Sequence, residues 1–170
     1  MNEEIQQTPP APEPTTSETT PAATSPEAAV TTPASEGTFQ ILKIYLKDSV
    51  FEIPNAPQIF KRTQQPELKI SITNTSKGVE EKISEVVLKG SITARIDNQV
   101  LFFIEVEQAG IFEIRNIPAE FEKRMLEVDC PAMLLPSLRF NIADTLVRAG
   151  FPPVNLAEIN FNKLYQDSIS

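Results

Sequence analysis

The sequence predicts an α+β domain, a four-stranded antiparallel sheet with helices packed on one face. Three observations carry that prediction. Residues 68–73, 83–96 and 100–108 alternate apolar and polar side chains with the period of two that marks half-buried strands. Residues 131–149 repeat apolar positions at helical spacing instead. The two patterns do not interleave. Strands come first and helices follow, which is the order of segregated α+β architecture rather than of repeating βαβ units.

In chain order, residues 1–37 hold seven of the fifteen prolines, no Lys or Arg, no aromatic residue and six glutamates. So little apolar surface cannot offset the entropy of ordering, so this stretch reads as a disordered acidic Pro/Thr-rich tail, with the folded domain at 38–170. Phe39–Asp48, rich in aromatic and aliphatic residues, reads as the first strand. Pro54, Pro57 and Pro66 then remove ladder donors, so the following segment is expected to be an extended crossover. Leu68, Ile70 and Ile72 share one face of the next strand, and a polar turn is expected around Asn74–Gly78. Val86, Leu88, Ile92, Ala94 and Ile96 form the apolar face of Ile83–Ile96. Asp97-Asn98 makes a tight turn into Val100–Gln108.

A short helix is expected over Ala119–Val128, with Pro118 before it. A longer one places Leu134, Leu138, Ile142, Leu146 and Ala149 near one face. The pattern runs from about Pro131 or Ala132 to Ala149. Pro136 is expected either to kink the helix or to mark its true beginning, with the late start preferred, and the stop is at Gly150, ahead of Pro152-Pro153. Asn160 suits the cap of a terminal helix, Phe161–Ile169.

Composition excludes much chemistry. Histidine is absent and Cys130 is the only cysteine, so a Ser-His-Asp triad, a Cys/His zinc site and an internal disulfide cannot be assembled. Cys130 precedes Pro131 and, without a histidine partner, reads as a structural thiol. The formal charge is −8; outside the tail, 15 basic residues face 17 acidic ones, and no basic patch suggests nucleic acid. The first ten residues lack the basic start and apolar run of a signal peptide, and no stretch is apolar enough to span a membrane. The reading is a cytoplasmic protein without cofactors that is not an enzyme.

The strand Val100–Gln108 has a mixed character. Val100, Phe102, Ile104 and Val106 face inward, leaving Leu101 and Phe103 beside Glu105 and Glu107 on the other face. Apolar residues among carboxylates tend to mark an interaction surface, while loop cover of Leu101 and Phe103 would explain them without one. The two glutamates lie about 7 Å apart by strand geometry. That spacing suits paired acids, but no electrophile or metal-ligand set accompanies them, and alternating acids on a strand usually form a solvated face.

FEIPNAP (Phe51–Pro57), QQPELKI (Gln64–Ile70), EVVLKGSITA (Glu85–Ala94), IEVEQAGIFEI (Ile104–Ile114) and the run from Cys130 to Tyr165 follow one another in order. Together they resemble the SecB family of export chaperones. The resemblance implies a homotetramer, a dimer of dimers with helices between the dimers, that binds unfolded precursor proteins, keeps them translocation-competent and passes them to the SecA ATPase. It implies docking of the zinc-binding C-terminal segment of SecA on an acidic sheet face, at positions matching Asp48, Glu52, Phe103 and Glu105. Ile104, Val106 and Gln108 match positions that affect tetramer assembly. Clients are expected to use apolar grooves at Tyr45, Phe51, Leu68, Ile70, Ile72 and Ile111. The sequence departs from the family at Gln64, where an aromatic residue is common, and in a short polar C-terminal extension; the acidic tail reads as a solvated arm. A SecB-like chaperone of a toxin–antitoxin system and an oligomeric scaffold without clients are the competing readings.

Overall fold

The structure, a computed structural model, describes residues 36–169. The expectation of a tail over residues 1–37 therefore lies almost wholly outside the described residues. The strands are β1 (Thr38–Glu52), β2 (Glu67–Glu80), β3 (Ile83–Ile96) and β4 (Gln99–Arg115). They form one antiparallel sheet in the order β1-β4-β3-β2. β2, β3 and β4 are joined as hairpins, and the Pro-containing crossover carries the chain from β1 at one edge to β2 at the other, a Greek-key connection.

The β3–β4 hairpin follows the sequence expectation. Asp97 and Asn98 both have positive φ, 49° and 63°, as a two-residue turn matched to the strand twist requires. The β2–β3 turn does not. Asn74–Gly78 remains in β2, and the chain reverses four residues later, with Lys82 at φ 64°. β2 is an edge strand, and edge strands carry polar residues that discourage further pairing, so its composition imitates a loop. β4 likewise runs on to Arg115, beyond the expected end at Gln108. A Cβ on Gly110 would lie 2.7 Å from the Phe112 ring and 3.0 Å from Leu134, so the missing side chain allows the helix layer its close approach.

The helices are α1 (Ala119–Arg124), α2 (Cys130–Arg148) and α3 (Phe161–Ile169). α1 and α2 are not separate: a π-helical turn, Met125–Asp129, joins them. The widened turn sits where the ring of Pro131 would otherwise meet the carbonyl four residues back. The expected late start at Pro136 is also overturned. Pro136 lies inside α2 with its ring exposed, so the carbonyl it leaves unpaired is on the solvent side. α2 lies across β3 and β4 and buries Leu134, Leu138, Ile142 and Leu146 against them, as its periodicity predicts.

At the end of α2, Gly150 adopts φ 83°; its N–H donates to the Val147 carbonyl at 3.0 Å, and that of Phe151 to the Leu146 carbonyl at 2.9 Å. This is a Schellman stop, with Phe151 and Leu146 both buried. Asn160 caps α3, its Oδ1 accepting from the Lys163 N–H at 3.0 Å. Cys130 is buried, and desolvation, then the nearby Asp129 charge, push its thiol up to about 12. It is a packing residue and not a thiolate.

Candidate functional site: the two sides of the sheet

The register assigns every strand residue to a side. Beneath α2 lie Val86, Leu88, Ile92, Ile104, Val106 and Phe112, all without exposed surface. The positions matched to assembly, Ile104, Val106 and Gln108, are in this layer, so they are core residues of the protomer and any influence on assembly is indirect, through the elements they pack against. Gln108 shows how. Its Nε2 donates to the Tyr45 carbonyl at 2.8 Å, and the Asn141 amide donates to its Oε1 at 2.7 Å, tying β1 to α2. The far side of α2 presents Met133, Phe140 and Val147, spaced seven residues apart, with Phe140 68% exposed. β1 adds exposed Ile41, Ile44 and Leu46 on the helix side at one sheet edge.

The opposite side of the sheet collects the matched docking positions. Glu52 of β1 pairs with Phe103 of β4, Val50 with Glu105, and Asp48 with Glu107. The next strand contributes Thr93, Ser91 and Lys89 at the same three levels. Asp48, Glu52, Phe103 and Glu105 thus share one face, with Glu107 and Val50 among them. Lys89 reaches Glu105 Oε1 at 2.6 Å and Glu107 Oε1 at 3.4 Å. The hydrogen bond to Glu105 holds the ammonium above its usual range, against a smaller opposing effect of desolvation.

Farther along the same face, Tyr45 lies at the level of the fully buried Ala109 and donates its hydroxyl to Glu85. Lys47 donates to both Glu85 oxygens, at 2.9 and 2.8 Å. Lys47 first, then Tyr45, lower the Glu85 carboxyl below its ordinary range, while bonding to Glu85 raises Tyr45 and Lys47.

Leu101 corrects the sequence reading of this face. A register shift leaves it between Val100, opposite Arg95, and Phe102, opposite Ala94. The irregularity lets it line, with Phe102, an open apolar pocket of about 470 Å³ walled by Leu68, Phe151 and Pro152–Val154. Phe51 packs nearby, its ring centroid 6.1 Å from Phe102 and 6.3 Å from Phe151. Phe60, from the crossover, stacks on Phe151 at 5.4 Å. The crossover is held by buried Ile59, by Asn55 donating to the Val100 carbonyl at 2.9 Å, and by Arg62 donating to Asp97 and Gln99 at 3.0 and 2.9 Å.

The six matched groove residues therefore do not share one groove within a protomer. Leu68, Ile70 and Ile72 form a row on the helix side of β2, continuing from the pocket to a smaller recess at Phe161, Leu164 and Tyr165. Phe51 borders the same region. Tyr45 and Ile111 lie on the opposite side of the sheet. Sequence reasoning missed Phe60, Phe151 and Lys89 as parts of these surfaces and placed Leu101 on the outer face. The internal alternation of β3 did place Lys89 on the correct face, but only the pairing of β3 with β4 brings it to Glu105.

No described helix is long and apolar enough to cross a membrane. A sequence model of the family described as preprotein translocase subunit SecB matches residues 32–170. Relatives called protein-export protein SecB in Paraburkholderia xenovorans and Paraburkholderia phymatum are 45% and 44% identical over 132 residues, which cover 78% of this chain and 85% of each relative. Among solved structures, a SecB-like chaperone of Mycobacterium tuberculosis in complex with an antitoxin peptide has the same fold. The TM-score is 0.58 at 16% identity, over 72% of this chain and 91% of that one.

Proposed function

The chain belongs to the SecB family of preprotein translocase subunits, and from that premise we propose that it holds unfolded precursor proteins in the cytoplasm and delivers them to SecA for export. The observation that carries the docking half is the register, which puts Asp48, Glu52, Phe103 and Glu105 on one face although they come from two strands far apart in sequence. Carboxylates around two apolar side chains, Phe103 and Val50, suit a compact cationic partner such as the zinc-bearing C-terminal segment of SecA.

Client binding uses the row from the Leu101–Phe151 pocket along Leu68, Ile70 and Ile72. An unfolded chain gains roughly 25 cal/mol for each Å² of apolar surface it buries there, less the cost of its own ordering. No covalent step is needed. Long clients that touch the grooves of several protomers bind tightly through effective concentration, while each contact stays weak enough to release. The apolar stripe of Met133, Phe140 and Val147 and the apolar edge of β1 supply surfaces for a dimer of dimers. The 45%-identical export relatives favour this reading over antitoxin protection, because the antitoxin-bound structure is similar at the level of fold alone.

Titration with SecA, following oligomeric state in the same samples, tests the proposal. The wild-type tetramer should bind; Glu105→Lys should stay tetrameric and lose at least tenfold in affinity, about 1.4 kcal/mol. Absence of binding by the wild type to the SecA of its own organism would remove the export reading.

A further inference from the structure

The acidic face is unevenly neutralised. On β4, Glu105 and Glu107 both contact the Lys89 ammonium, at 2.6 and 3.4 Å. On β1, Asp48 Oδ1 accepts from the N–H of its own neighbour, Ser49, at 2.9 Å, and neither Asp48 nor Glu52 forms an ion pair with a described lysine or arginine. Lys47, next to Asp48 in sequence, is turned to Glu85. All four carboxylates occupy three adjacent levels of the sheet.

We infer that Lys89 is a built-in counter-charge that competes with the cationic partner for Glu105 and Glu107 and so keeps docking reversible. This rests on the docking reading of the acidic face. An incoming cation meets the unneutralised carboxylates of β1 first and must displace Lys89 to engage those of β4. Lys89 is itself partly exposed, with 38% of its side chain accessible, so it can swing away without opening the core. Removing its charge leaves the same carboxylates in the same strands but deepens the negative potential at the point of contact.

The test measures binding of two probes, the zinc-loaded C-terminal peptide of SecA and a hexalysine peptide, to wild type, Lys89→Gln and Lys89→Arg. Lys89→Gln is expected to tighten binding by about three- to tenfold at low ionic strength, with the gain fading as salt screens the face. Lys89→Arg, which keeps the charge, should behave as wild type. Unchanged or weaker binding by Lys89→Gln would overturn the inference and make Lys89 an orienting partner of Glu105. Failure of both probes to bind any form would overturn it as well, since the face would then recruit no cation. If hexalysine alone binds, and more tightly to Lys89→Gln, the counter-charge stands and the SecA docking reading fails.

Discussion

On the side of the sheet under α2, Val86, Leu88, Ile92, Ile104 and Val106 have no exposed surface, and the buried polar side chain Gln108 has both its amide groups hydrogen-bonded. On the other side, the alternate residues of the same strands, Lys89, Ser91, Phe103, Glu105 and Glu107, are half-buried, and Lys89 forms ion pairs with both glutamates. One set of hydrogen bonds serves both sides, so the backbone is not what separates them. The difference shows a sheet whose covered face is held by apolar burial and whose outer face around Glu105 carries charge, residue by residue. Substitutions on one side should therefore move stability, and those on the other should move charge-dependent properties.

The largest expected effect breaks the dry side. Ile104→Asp removes an apolar side chain and leaves a carboxylate unpaired beneath α2, two losses that together exceed about 5 kcal/mol. Urea unfolding and circular dichroism should find the variant unfolded or without a native transition. A cooperative transition near the wild-type midpoint would show that the layer is wetter than the burial indicates.

Leu138→Ala is the intermediate case. The side chain is fully buried, and its truncation should lower stability by about 3 kcal/mol without changing the fold. The urea midpoint should drop while the slope of the transition stays constant.

The smallest effect belongs to the outer face and is read as pH dependence. Glu85 has a folded-state pKa below the ordinary value of 4.5, so its contribution is present above that value and lost as pH falls through the depressed one. Tyr45 and Lys47 are shifted upward, so their contributions are complete below 10.0 and 10.5 and lost as pH rises through the raised values. Glu85→Gln should flatten both limbs by slightly lowering the neutral region, so that the two profiles converge at low and high pH, as read from urea midpoints across the pH range. Parallel pH profiles for the two proteins would mean that the three-residue cluster adds nothing to cohesion.

The same contrast explains what could be read in advance. Short-range patterns were reliable where one residue's chemistry decides the local backbone: Asp97-Asn98 in the hairpin, Gly150 at the end of α2, Asn160 as a cap, and the alternation of Ile83–Ile96. They misled where composition serves a second purpose. The polar residues of Asn74–Gly78 protect an edge instead of making a turn, and β4 continues past its expected end at Gln108, with Gly110 making room for the helix layer. Pro136 is tolerated because its position on α2 points to solvent, a fact that belongs to the packing.

By itself the sequence determined which residues alternate, where the chain turns most sharply, that histidine chemistry is excluded, and that the motifs resemble one chaperone family. Each depends on residue identity and near-neighbour spacing. The tertiary structure alone decided that β1 sits beside β4, that Asp48 and Glu52 thereby join Phe103 and Glu105, that Lys89 reaches both β4 carboxylates, and that Leu101 leaves the outer face for the Phe151 pocket. Those are contacts between segments tens of residues apart, where a shift of one residue in register moves a side chain to the opposite face of the sheet. Register is set by the summed burial of the whole layer beneath α2, which no local stretch of sequence contains.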